Sequence, residues 1–145
     1  MERFETFTVL IMKINRSIHK IKSAEMAEFN LKGPHVSCLY YLGKSETMTA
    51  KELCDVCGED KAAVSRSIEY LETEGYVSCV SDAKKRYKAA LTLTEKGKAA
   101  AARIAEKIDA VLAKSSDGMD VETLQTVYDG LAAIERNLSE ICKKY

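Results

Sequence analysis

The stretch DKAAVSRSIEYLETEGYV, residues 60–77, constrains the fold more than any other part of the chain. Val64, Ile68 and Leu71 recur at i, i+4 and i+7, the spacing of a single apolar stripe along a helix. Asp60 stands just ahead of the stripe, where a short carboxylate can take up a free N–H of the first turn. Gly75 then stops the pattern, as expected where the backbone must turn through the left-handed region. The opposite face carries Lys61, Ala62, Ser65, Arg66 and Glu69. Such a helix buries one side and offers the other, with small and polar residues at its leading end.

The flanking segments give this helix a setting. In MTAKEL, Thr49 and Glu52 have the spacing of a capping box, which predicts a short helix ending near Gly58. Residues 49–74 therefore read as helix, tight turn, helix. After Gly75 the period changes. YVSCVS is rich in β-formers, and KAALTLT alternates, with Ala89, Leu91 and Leu93 on one face. Between them lies DAKKRY, so two strands joined by a basic loop are expected. Phe7, Ile11, Ile14, Ile18 and Ile21 predict a long first helix over residues 4–22. Gly33-Pro34 opens a second, since proline is tolerated at the first helical position; its apolar residues are Val36, Leu39, Tyr40 and Leu42. Thr94 starts a further helix, with Ile104, Ile108 and Val111 or Leu112 on its stripe. SSDGMD breaks that helix, and Asp120 can cap the last one, whose stripe runs through Leu124, Val127, Tyr128, Leu131, Ile134, Leu138 and Ile141.

Composition narrows the class. The chain has 145 residues, one domain's worth, and 46% apolar residues, enough for a core and a second apolar surface. Net charge is zero, but between Asp82 and Glu95 and just beyond lie Lys84, Lys85, Arg86, Lys88, Lys96 and Lys98. No stretch approaches the roughly 18 apolar residues of a membrane span. MERFETFTVLIMKINRS places acids before its apolar part and has no small-residue cleavage site, so no signal peptide is expected, and the compartment expected is the cytoplasm. Five scattered cysteines, Cys38, Cys54, Cys57, Cys79 and Cys142, do not form a disulfide framework.

Helix, turn, helix and then a hairpin with a basic tip is a winged helix-turn-helix. The expected fold is mainly α with a small β-hairpin wing. The winged part covers about residues 32–95, in a single domain over 1–145 with N- and C-terminal dimerisation helices at about 4–22 and 95–143. A helix enters the major groove of DNA only if its leading face is small or polar. Ala62 and Ala63 permit close approach, and Lys61, Ser65 and Arg66 can contact bases or phosphates. Helix N–H groups from Asp60 to Ala63 face anionic oxygens. Lys84, Lys85 and Arg86 would lie along the backbone or in the minor groove. MTAKEL, DKAAVSRSIEYLETEGYV and SDAKKRYKAALTLTEKGK together resemble the multiple-antibiotic-resistance regulator (MarR) family of transcription factors over nearly the whole chain. The resemblance implies a homodimer on a palindromic site of double-stranded DNA, interlocked through its terminal helices. It implies a repressor relieved by a small lipophilic or phenolic effector. It also implies Ser65 and Arg66 in the groove and Arg86 in the wing. Many members carry Asp-x-Arg in the wing, whereas here Asp82 is followed by Lys84, and Arg86 comes four residues after Asp82.

Other chemistry is sparse. Cys54 and Cys57 form a CxxC, which suits redox switching or metal binding, or packing alone. A structural zinc site wants four ligands, and no second CxxC follows. His19 and His35 are the only histidines, and His35 is expected to cap or pack near the start of the second helix. Tyr40, Tyr41 and Met48 could line an effector cleft or serve as core. No catalytic arrangement or phosphate loop is present, so an enzyme is not expected, and neither a metal nor a cofactor is implied. The alternatives are a thiol- or metal-responsive regulator of the same fold and a winged-helix protein-interaction module.

Overall fold

The computed structural model describes residues 5–80 and 89–145, apart from the side chains of Glu5 and Val80. Residues up to Lys107 form one compact unit and Ile108–Tyr145 a second. Among the described residues of the first unit, a π-helical turn (Glu5–Val9) leads into α1 (Leu10–Glu25). The expected helix over 4–22 thus starts with a widened turn and runs on to Glu25. Thr6, Thr8 and Val9 are β-branched and crowd a regular first turn, and no side chain caps it.

The next four elements follow their local signals. In α2 (Gly33–Lys44), Pro34 lies in the first turn, and the Lys32 N–H donates to His35 Nδ1 at 3.1 Å. In α3 (Ala50–Cys57), Thr49 Oγ1 accepts from the Glu52 N–H at 3.2 Å, and the Thr49 N–H donates to Glu52 Oε2 at 2.7 Å. This bond from the Thr49 backbone holds the Glu52 carboxyl below the usual carboxylate value. In α4 (Lys61–Thr73), Asp60 Oδ1 accepts from the Ala63 N–H at 2.9 Å. Strands β1 (Val77–Val80) and β2 (Ala90–Leu93) pair antiparallel, with Val77 opposite Leu93 and Val80 opposite Ala90. Met48 adds one rung through its bridge to Leu91. α5 (Glu95–Ser115) begins in the first unit and continues into the second.

Packing outweighs capping in this unit. Leu39, Leu53, Leu71 and Ile104 are each fully buried, and Val36, Leu42, Val64 and Leu91 nearly so. Each such side chain contributes about 1.5–3 kcal/mol, against about 1 kcal/mol for one helix cap. The caps set where the helices begin; α2 in contact with α3, α4 and β2 makes the core. In the second unit, α6 (Val121–Cys142) starts from Asp120, whose Oδ1 accepts from the Thr123 N–H at 2.8 Å. Neither α1 nor α6 contains a buried residue.

The junction between α4, the sheet and α5 is the tightest in the chain. At the end of α4 the Tyr76 N–H donates to the Leu71 carbonyl at 2.8 Å and the Gly75 N–H to that of Glu72 at 3.0 Å, with Gly75 at φ +74°. That is the paired-bond stop of a helix whose next residue is left-handed. Thr94 then closes the base of the hairpin. Its N–H donates to the Tyr76 carbonyl at 3.1 Å, and its hydroxyl donates to the Gly75 carbonyl at 2.7 Å while accepting from the Gly97 N–H at 3.1 Å. A Cβ on Gly97 would stand 1.9 Å from the Tyr76 carbonyl oxygen. That oxygen is backbone and cannot swing aside. Gly97→Ala should therefore destabilise the protein by about 1–3 kcal/mol or more, as overpacking does, read as a lowered denaturant midpoint. Ala99→Gly, exposed on the same helix, should cost only about 1 kcal/mol through helix propensity. Equal midpoints for the two variants would disprove the close approach.

Candidate nucleic-acid interface

The stripe expected on α4 is the buried one: Val64, Ile68 and Leu71 face the core, together with Ser67. Ser67 is tolerated there because its hydroxyl donates to the Ala63 carbonyl at 2.9 Å. The opposite face carries Lys61, Ala62, Ser65 and Arg66, all exposed, and half-buried Ala63. The Ala63 N–H is already taken by Asp60. One donor of the helix N-terminus that sequence reasoning offered to anionic oxygens is therefore used internally. Lys84, Lys85 and Arg86, and Asp82 with them, lie outside the described residues.

Charge is graded along α4. Lys61 and Arg66 occupy its first half, whereas Glu69, Glu72 and Glu74 follow in the second. An anionic partner is favoured at the first half and repelled at the second, so the polyanion would be met by the leading turns. The helix macrodipole acts in the same sense.

Two shallow grooves border the helix. One, about 330 Å³, runs between Lys61, Ser65 and Glu69 on α4, Ala50 at the start of α3, and Cys79 and Leu91 of the sheet. The other, about 530 Å³, separates Ala63, Arg66 and Tyr70 from Asn30, Lys32 and His35. Its two walls are clamped together. The His35 ring stacks on Tyr70 with centroids 4.3 Å apart and planes 6° from parallel, and the Tyr70 hydroxyl donates to the Asn30 carbonyl at 2.9 Å. His35 both caps and packs, as its position suggested. Burial first, and the nearby Lys32 charge second, hold its imidazole below the ordinary histidine value. Since Nδ1 accepts from Lys32, the neutral ring carries its proton on Nε2.

Lys32 and Tyr70 escaped the sequence reading. Tyr70 carried a signal, because it lies one turn beyond Arg66 on the same helix surface. Lys32 carried none, since it joins the groove only through the packing of α2 on α4. Tyr40 and Tyr41 are half-buried and meet edge to face at 5.4 Å, with the Lys44 ammonium 4.9 Å from the Tyr40 ring centre. They and Met48 line neither groove. Among the described residues, no three His, Cys, Asp or Glu side chains are grouped to hold a metal ion. No described helix is long and apolar enough to cross a membrane.

Residues 29–86, from the turn before α2 through the hairpin, match the family model described as the MarR family. The chain belongs to the MarR family. This is a family of transcriptional regulators, not of enzymes. The chain is similar to the uncharacterized HTH-type transcriptional regulator YfiV of Bacillus subtilis (strain 168), at 24% identity over 136 residues, covering 94% of this chain and 85% of that one. Among solved structures, NMB1585, a MarR family regulator from Neisseria meningitidis, superposes with a TM-score of 0.82 at 21% identity, over 99% of both chains. A MarR family transcriptional regulator from Listeria monocytogenes, complexed with 26mer DNA, gives 0.86 at 21% identity, over 97% of this chain and 91% of that one. The winged-helix fold of MarR regulators is thereby established for this chain.

The His35 contact makes stability depend on pH. Its folded value lies below the ordinary 6.5. The unfolded chain therefore binds the proton more readily, and stability increases with pH across this window. The stabilisation is complete above about 6.5 and is lost as pH falls through the lower folded value, because a protonated Nδ1 cannot accept from Lys32. Denaturant midpoints measured from pH 7.5 to 5 should decline for wild type. They should decline less for His35→Gln, whose amide oxygen can still accept the same N–H. Parallel curves would show that His35 takes no part.

Proposed function

We propose that the protein is a homodimeric DNA-binding regulator working in the cytoplasm. It represses by occupying a pseudo-palindromic operator and is relieved by a small lipophilic or phenolic effector. In this reading α4 enters the major groove by its leading half, through Lys61, Ala62, Ala63, Ser65 and Arg66. Lys84, Lys85 and Arg86 of the wing contact phosphates or the adjacent minor groove. The observation that carries the reading is the exposed, small and basic first half of α4, held on a fully buried stripe. The Listeria relative held with 26mer DNA supports it as a likeness of fold. A protein-interaction module would not need the basic cluster at residues 84–86.

The dimer reading is supported by apolar surface. Ile11, Ile14, Ile18 and Ile21 of α1 are 39–50% exposed, and Leu131, Ile134, Leu138 and Ile141 of α6 are 37–49% exposed. Apolar stripes of this length are uncommon on a monomer and mark an association surface. The terminal helices, about 4–22 and 95–143, are the proposed dimerisation elements. Sedimentation at micromolar concentration should give twice the chain mass. A well-folded monomer would remove both the dimer and the palindrome.

Half-sites should lie roughly 10 bp apart, one duplex turn. With sites selected from a random DNA pool, Arg66→Ala should lose about 1–3 kcal/mol of affinity and relax the sequence preference at one position of each half-site. Unchanged affinity and unchanged preference would place Arg66 off the DNA.

A further inference from the structure

All five cysteines are free thiols. The sequence pairs Cys54 with Cys57, but packing pairs them differently. α3 lies against α2, and Cys57, the last residue of α3, shares a thiol–thiol hydrogen bond with Cys38 of α2. Cys38 is 1% exposed, while Cys57 is only part-buried. One thiol can meet a solute, and its partner waits directly behind it. We propose that Cys38 and Cys57 are a modification site: a peroxide-class oxidant closes them into an intrachain disulfide that ties α2 to the end of α3.

The surroundings divide the roles. The hydrogen bond from Cys38 holds the Cys57 thiol below its ordinary value, and the Lys22 ammonium helps, against burial and Glu59. Lys22 is placed by its bond to Ser37 Oγ at 2.9 Å. Cys57 is thus the attacking sulfur, since the thiolate is the nucleophile. The bond to Cys57, followed by burial, holds Cys38 far up, which suits a thiol shielded from the oxidant and able to resolve the first product. Cys54 is pushed up by desolvation and then by Asp55, so it is the poorer nucleophile of the CxxC.

The chemistry balances with hydrogen peroxide as oxidant. Cys57 Sγ attacks one peroxide oxygen, the O–O bond breaks, and the departing hydroxide leaves as water with the proton that Cys57 gave up. Cys57 now carries S–OH. Cys38 Sγ attacks that sulfur, the S–O bond breaks, and the hydroxide leaves as a second water with the Cys38 proton. Two thiols lose two electrons, and one peroxide becomes two waters. Helices pack with axes about 8–10 Å apart, and a disulfide spans Cα atoms about 4.4–6.8 Å apart. Facing positions on packed helices can therefore be joined with little movement. The bond would pin the end of α3, just ahead of the Asp60 cap of α4. The thiol chemistry does not depend on the DNA-binding reading.

The test treats the full-length protein with hydrogen peroxide near neutral pH. It counts thiols in denaturant and maps the non-reduced tryptic peptides by mass spectrometry. Wild type should lose two of its five thiols. Cys54→Ser, which removes the second cysteine from the Cys57 peptide, should still yield that peptide linked to the one containing Cys38. Cys38→Ala should give no linked peptide and should accumulate a Cys57 sulfenic acid trappable by dimedone. Cys57→Ser should lose neither Cys38 nor Cys54 at the wild-type rate. A Cys54–Cys57 bond, a link between two chains, or peroxide loss undiminished in Cys57→Ser would overturn the proposal. If Cys38→Ala fails to fold, the Cys54→Ser peptide map decides.

Discussion

The Tyr76 carbonyl is the point at which the winged part is assembled. It receives the Thr94 N–H at 3.1 Å and lies so close to Gly97 that no side chain fits there. Around it, Thr94 ties the last turn of α4 to the first turn of α5 through one hydroxyl. The Lys96 ammonium adds a lid, 4.1 Å from the Tyr76 ring centre and bonded to the Glu74 carbonyl at 2.6 Å. The direction in which the hairpin leaves α4 is thus fixed by backbone contacts, which tolerate little displacement. A surface helix and a wing that must meet the same partner need that fixity. Their relative position would otherwise cost ordering entropy at each encounter.

α4 itself is a compromise between two demands. Its buried side needs bulk, which Val64, Ile68 and Leu71 supply. Its exposed side needs small or cationic groups at the leading end. The acids are held back to the second half, where they repel phosphate away from the end of the helix rather than from its start. The His35–Tyr70 stack then fixes the start of α2 against the flank of α4, so the groove holding Arg66 has a wall that does not depend on Arg66 itself.

The terminal helices follow a different logic. α1 and α6 have regular apolar stripes, yet no residue of either is buried. Their helicity rests on caps such as Asp120 to Thr123 and on stripes that the chain leaves uncovered. Isolated helices are marginal in water, so an apolar face of this length gains most of its stability from whatever covers it.

What could be read from the sequence was local. Thr49 with Glu52, Asp60 with Ala63, and Asp120 with Thr123 are bonds between residues three apart. Over so short a span, spacing along the chain fixes spacing in space. The stripes of α2, α4 and α5 and the alternation of Ala89, Leu91 and Leu93 were legible for the same reason: a regular element converts period into a face. The first turn of α1 escaped because an uncapped end is settled by crowding among β-branched residues. Tertiary structure alone decided the partner of Cys57, the stack of His35 on Tyr70, the place of Lys32 beside Arg66, and the reason for Gly97. Each joins residues from different elements, and their meeting depends on how α2, α3, α4 and the hairpin pack, which no spacing within a single element encodes.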